Sequence, residues 1–337
     1  MMVTKIGQVK NRMKNKLTIV MYHYVRDAYN SRFPNINALQ INQFEEQIKY
    51  LKKYYYFPSY KELVNCVANK VDLPKNSCLL TFDDGYADHY QNVFPTLLNN
   101  KLPGYFFPPA KPIQENVVLD VNKIHFILDK MINQINDLIE NLFEFIDENR
   151  NKYDLKSNDY YFKNCAKPNR YDTKEVVFVK SMLQHELPHE LRSKIIDRLF
   201  SKFITDDERS FSEYLYLNIN QIKIMINEGM YFGSHGYQHF WLNKVSRDEQ
   251  ELDIKKSLKF LRKINSPTKN WIMCYPYGGY NESTINIIEG LGSIIGFTSK
   301  PGISKISDRY NLKRLDTNDF PKSSKVNMNK WTKEILQ

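Results

Sequence analysis

The chain has 337 residues, 42% hydrophobic and 26% charged, which excludes a disordered polymer and supplies core for one large α/β domain or two modest ones. Net charge is +10, from 48 Lys and Arg against 38 Asp and Glu. The lysines are spread along the chain without a nucleic-acid module, so no nucleic-acid partner is expected.

The basic balance suits an anionic glycan or peripheral association with an acidic membrane surface. Cys66, Cys78, Cys165 and Cys274 lie far apart, forming neither a disulfide framework nor a thiolate zinc site. Near the N-terminus the longest apolar stretch is residues 17–22, too short for a signal h-region or a membrane span. The expected location is therefore cytoplasmic.

Residues 1–16 read as a loose basic arm, and 17–21 as a short buried strand that ends in Tyr22-His23. Helical spacing follows over 44–54 and 61–69. A second buried strand over 78–82 closes on Asp83-Asp84-Gly85, and a helix over 87–100 leads to a strand at 104–107. Strands alternating with helices predict a parallel sheet or barrel, with its site at the strands' C-terminal ends. The rhythm then changes. Helices at 125–146, 174–185 and 189–203, with a polar loop at 149–172, read as a helical insertion over 121–217 between the barrel segments 17–120 and 218–337. Alternation resumes with a helix at 219–228 and a strand at 230–233. A long helix at 247–264, a strand at 271–274, a helix at 282–289 and strands at 293–298 and 312–315 complete it.

Three strands run straight into polar residues. Strand-end carboxylates are costly near a core unless a metal or hydrogen bonds compensate them. Asp83 and Asp84 are adjacent and point in different directions, so one can ligate a metal while the other faces substrate. Alone, Asp-Asp-Gly equally suits a turn that caps the next helix. His235 and His239 are four apart, a spacing that places both on one face of a helical turn. Two imidazoles and one carboxylate leave a position open for water, as catalytic metal sites do.

Thr81-Phe-Asp-Asp-Gly85 and Ser234-His-Gly-Tyr-Gln-His239 together resemble the first two signature motifs of the polysaccharide deacetylases, the NodB-homology or carbohydrate esterase 4 family. Tyr275-Pro276-Tyr277-Gly278 resembles the core of the third. The resemblance implies a distorted (β/α) barrel of NodB type. It implies Asp83 as general base and Asp84, His235 and His239 as ligands of one divalent metal. Zinc is the first choice, and cobalt, nickel or manganese suit the same ligands. The backbone N–H of Tyr277 falls to the oxyanion hole. Two departures matter. Cys274 stands where the third motif usually has an arginine, and no histidine follows His239 to serve as the late acid. Tyr22-His23 is similar to the early Tyr-His of the poly-N-acetylglucosamine deacetylase branch, which implies His23 as the acid. Arg314, on the final strand, is the substitute for the missing arginine.

Tyr275, Pro276, Gly278 and Trp241 are expected to contact substrate, and His125 to reach it from the start of the insertion. The function implied is N-deacetylation of an N-acetylated sugar, a precursor or intermediate of a surface polysaccharide or lipopolysaccharide. O-deacetylation, amide hydrolysis on a non-sugar, and an idle glycan-binding protein are the alternatives.

Overall fold

The computed structural model describes residues 16–169 and 172–336, so the arm expected over 1–16 lies outside the described residues apart from Lys16, which opens the first strand. The chain forms two compact units. One contains residues 16–26, 39–110 and 217–336, and the other residues 27–38 and 111–216. The second unit thus begins ten residues earlier than the expected insertion and takes in a segment from near the N-terminus.

The first unit carries eight strands: β1 (Lys16–Tyr22), β2 (Ser77–Asp83), β3 (Tyr105–Phe107), β4 (Tyr231–Phe232), β5 (Trp271–Cys274), β6 (Ser293–Phe297), β7 (Ser304–Lys305) and β8 (Leu315–Asp316). Strands β1 to β4 pair in parallel in the order β4-β3-β2-β1, and β5 pairs in parallel with β6. Single parallel bridges, Ser234 to Met273 and Phe297 to Leu312, join the two sheets, and β8 returns parallel to β1. The pairings therefore run round a ring. Strand β7 lies antiparallel on the start of β1.

The strands are short and apolar because both faces are covered. All seven residues of β2 are buried, as in a strand packed on two sides. One face carries an aromatic ladder across four strands. Tyr22, Phe82, Phe106 and Phe232 are in register, with successive centroids 5.1, 4.8 and 5.2 Å apart. The other face belongs to a core of Leu17, Ile19, Leu79, Tyr105, Phe107, Tyr231, Ile272, Cys274 and Phe297. Alternation along β2 places Asp83 on the face of Leu79 and Thr81.

The second unit is helical. It contains Asp120–Met131, Ile135–Tyr153, Asn158–Cys165, Lys174–Ser181, His189–Phe203 and Glu208–Leu215. The helix Asn158–Cys165 corrects the loop expected over 149–172. Ser157 caps it, but Tyr161 is its only buried residue, so its apolar signal is faint. Residues 27–38 join this unit through Phe33, whose ring meets Phe126 and Phe211 edge-on, and through the Asn35 N–H donated to Asp129. Lys123, 4% exposed, is held by Asp197 and Glu208 at 2.6 and 2.9 Å.

Candidate metal centre and active site

Strand β2 ends at Asp83, and the chain turns at once, with Asp84 at φ 69° and Gly85 at φ 68°. The two carboxylates thereby part company. Asp83 turns to a guanidinium. Arg314 Nη1 and Nη2 reach Asp83 Oδ1 and Oδ2 at 2.9 and 2.7 Å, a two-pronged pair in which both residues are almost wholly buried. Arg314 is itself fixed by Nε donating to the Thr298 carbonyl (2.9 Å) and Nη1 to Thr81 Oγ1 (3.2 Å). Cys274 Sγ lies 3.5 Å from both Asp83 oxygens. Burial pushes its thiol up, so it stays protonated and donates. Burial alone would raise the Asp83 carboxyl too, but Arg314, with His235 and His23 beside it, holds the group below its ordinary value.

Asp84 faces the imidazoles. Tyr86 Oη donates to Asp84 Oδ2 at 2.7 Å, whereas Oδ1 is buried and accepts no hydrogen bond. His235 Nε2 and His239 Nε2 stand 3.5 and 3.3 Å from that same oxygen. The Cys274 carbonyl lies 2.7 Å from His235 Nδ1. A carbonyl only accepts, so Nδ1 carries a proton. The carboxylates beside the ring outweigh burial and raise its pKa well above the ordinary value, and an ion displacing the second proton would find the Nε2 lone pair turned toward Asp84. Lone pairs facing an orphaned carboxylate oxygen repel unless a cation sits among them. A tetrahedral ion about 2.0–2.1 Å from each donor would set the donors roughly 3.3–3.4 Å apart. The observed separations fit such an ion. The neighbouring group of Asp83, His235 and Cys274 does not, since Arg314 already neutralises Asp83 and the thiol is protonated.

The helical turn expected for His235 and His239 is absent. Residues 235–240 form an irregular loop in which Gly236 and His239 adopt φ 73° and 62°, so the rings meet by backbone reversal and not by helical period. Their centroids lie 4.9 Å apart. His23, at the end of β1, is half-buried, with Nε2 4.0 Å from Asp83 Oδ2.

The model of the polysaccharide deacetylase family matches residues 70–143 and 202–294, two blocks that hold both Asp-Asp-Gly and the two histidines. The chain belongs to the polysaccharide deacetylase family. Among relatives of this deacetylase, YxkH of Bacillus subtilis, provisionally named a polysaccharide deacetylase, is 21% identical over 91% of the chain and 73% of its own length. The solved Streptococcus pyogenes deacetylase PplD, in complex with acetate, is 19% identical and covers 89% of this chain and 92% of its own, with a TM-score of 0.54. A de-N-acetylase from Aggregatibacter actinomycetemcomitans is 17% identical, covers 96% and 100%, and has a TM-score of 0.55. The architecture is the distorted NodB-type (β/α) barrel of those structures.

Other residues expected at the deacetylase site fall into two groups. Tyr277 and Trp241 are half-buried and stacked on one another, 4.6 Å between centroids and 3° between planes, and Tyr277 also meets the His239 ring edge-on. Tyr277 and Gly278 both have positive φ (56° and 70°), and a side chain at Gly278 would collide with the Ser299 hydroxyl. Tyr275 and Pro276 are instead buried. The Tyr275 hydroxyl donates to the Tyr310 carbonyl and its ring stacks on Tyr280, so that side chain is structural and not a sugar contact. His125 lies half-buried on Asp120–Met131 of the second unit.

Several residues at this site escaped the sequence analysis. Tyr86, which donates to Asp84, is one of them. Asp88 accepts from the Val25 N–H at 3.2 Å and from Arg26 Nε at 2.7 Å. His89 Nε2 donates to the His23 carbonyl at 2.9 Å, and Asn92 donates to the Val25 carbonyl at 2.8 Å. Together they pin the backbone from the His23 carbonyl to Val25, from a π-helical turn, His89–Val93, and the residue before it, a type of turn that often accompanies functional sites. Where the chain passes into and out of the second unit, Ala110 N–H donates to the Gly236 carbonyl (3.2 Å) and Leu217 N–H to the Gly85 carbonyl (2.8 Å). Among the described residues, no helix is long and apolar enough to cross a membrane.

Proposed function

We propose that this protein is a metal-dependent N-deacetylase of an N-acetylated sugar, an intermediate or precursor of a surface polysaccharide or lipopolysaccharide. The observation that carries the reading is the orphaned Asp84 Oδ1 facing two imidazole Nε2 atoms, beside a separate carboxylate held by arginine. Asp84, His235 and His239 would hold the ion, zinc by preference. When bound, it supplies a Lewis acid for the acetyl carbonyl and lowers the pKa of water.

Asp83 takes the proton of the attacking water, and its depressed pKa keeps it ionised for that task. Arg314 and the Cys274 thiol orient its two oxygens, the work the family assigns to the arginine of the third motif. His23 gives a proton to the departing amine. At 4.0 Å from Asp83 it is close enough for one reacting group to be reached by acid and base together. The Tyr277 N–H, set by its left-handed backbone, serves the oxyanion, and the Trp241–Tyr277 stack offers a sugar ring an apolar face. The de-N-acetylase among the structural neighbours and the unactivated amine that calls for an acid both favour N- over O-deacetylation. The net charge of +10 favours a sugar carried on a phosphate or other anion.

The test is product analysis. Zinc- or cobalt-loaded protein is incubated with N-acetylglucosamine oligomers and with nucleotide-linked and lipid-linked N-acetyl sugars. Equal yields of acetate and free amine, absent with Asp83→Asn, are expected. Acetate with free hydroxyl and no amine would move the reading to an O-deacetylase. Glycan binding without acetate would make it a binding protein.

A further inference from the structure

One buried carboxylate beside the site has no part in the chemistry above. Asp253 is 3% exposed and lies in the interior of the helix Arg247–Lys263, sixteen residues beyond Tyr237 in sequence. Its Oδ2 accepts from the Tyr237 N–H and its Oδ1 from the Gln238 N–H, both at 2.8 Å. These two amides sit between the imidazole-bearing positions 235 and 239. Just before them, a Cβ on Gly236 would lie 2.7 Å from Asp253 Oδ2, so the carboxylate fills the space a side chain would need. One helical turn further on, Ser257 Oγ is 2.7 Å from Ser234 Oγ, which in turn accepts from the Gly236 N–H at 3.2 Å. The helix thus grips the loop at two levels.

We propose that Asp253 is a positioning residue for the metal-ligand loop, holding His235 and His239 in register through the two backbone amides between them. The inference rests on the metal-site reading above. The loop has no strand or helix ladder to define it. His239 also adopts a left-handed conformation that a non-glycine residue keeps only where its surroundings over-determine it. An ionised carboxylate with two acceptor oxygens satisfies both amides at once. Asparagine has the same shape but a single acceptor, and its NH₂ would confront the second N–H. Loss of that bond frees His239 to leave the left-handed region, and Nε2 moves away from Asp84 Oδ1.

The experiment compares full-length wild type with Asp253→Asn, both stripped of metal and refilled. Zinc affinity is measured by competition with a chromophoric chelator, and ligand geometry by the visible spectrum of the cobalt form. The zinc Kd is expected to rise about 10–100-fold, with a changed cobalt spectrum, as when a residue supporting a ligand is lost. Rescue by Asp253→Glu is expected to be partial at most, because the longer side chain meets Gly236. Equal Kd values and identical spectra would overturn the proposal while leaving the metal site standing. A wild type that binds neither zinc nor cobalt would remove both. Should Asp253→Asn not fold, amide exchange in metal-free wild type reads the same contact. Slow exchange at Tyr237 and Gln238 supports the clamp, and exchange as fast as an open loop refutes it.

Discussion

Asp83 reaches its partners from the last residue of a strand buried along its whole length, whereas His235 and His239 hang on a segment with no repeating structure. The carboxylate half inherits its precision from the β1–β2–β3 ladder and from Arg314, which is anchored at both ends of its guanidinium. The imidazole half has one bridge, Ser234 to Met273, one carbonyl on His235, and a left-handed His239. On the proposed reading, proton transfer falls to the stiff half, whereas two of the three metal ligands, His235 and His239, sit on the half that needs support.

Several changes would break or sharpen that contrast. The largest effect is expected from Asp83→Asn, which removes the base and should lower kcat by about 10⁴-fold while the zinc Kd stays within a few-fold. A parallel loss of zinc binding would show that the halves are not separable. His23→Ala should lower kcat for the amide by about 10²–10³-fold, and far less for an aryl acetate whose leaving group needs no proton. An equal loss on both substrates would rule out the acid role. Arg314→Ala should cost about 10²-fold through misplacement of Asp83. It also removes the largest of the interactions that oppose burial, so the Asp83 pKa rises from its depressed value and the acidic limb of the kcat/KM profile moves to higher pH. An unmoved limb would assign that limb to another group.

The smallest effect concerns stability. Burial, only partly offset by the His23 carbonyl, lowers the His89 pKa from 6.5 to about 4, so the folded protein keeps this ring neutral. The unfolded chain binds the proton first as pH falls. The resulting stability is complete above about pH 6.5 and is lost on the way down to about pH 4, on the order of 3 kcal/mol. His89→Gln should flatten the dependence of the thermal midpoint on pH across that window, and an unchanged slope would mean that other groups cause it.

The legibility of the sequence follows the same division. Strand-borne residues announced themselves, because the run Cys-Leu-Leu-Thr-Phe reads as a buried strand and the other motifs decided what Asp-Asp-Gly at its end is for. The two histidines were recognisable as a pair, but by the wrong geometry. A spacing of four matches a helical turn, and nothing local reveals that positions 236 and 239 take positive φ. Arg314 gave little sign of its burial, since its partner lies 231 residues away in sequence. Asp253 gave none, sitting among the charged residues of an amphipathic helix. Residues 27–38 join the helical unit through Phe33, Asn35 and an Arg32 hydrogen bond to the Ile204 carbonyl, contacts without any periodic signature. Tyr275 misled for the opposite reason, because only Tyr277 and Gly278 of its motif are even partly open to solvent.

The amides of Ala110 and Leu217 are tied to the carbonyls of Gly236 and Gly85, at the points where the chain departs for residues 111–216 and returns. To the barrel, that stretch of sequence is therefore a loop with anchored ends. Doubling the length of such a loop costs only about 0.6 kcal/mol in closure entropy. Changing its length is cheap for the barrel as long as the two splice points and the packing of residues 27–38 survive. The carbonyl that holds each splice point is one residue from a proposed metal ligand, Gly85 beside Asp84 and Gly236 beside His235, so strain from a poor graft would reach the proposed ligands through a single backbone hydrogen bond.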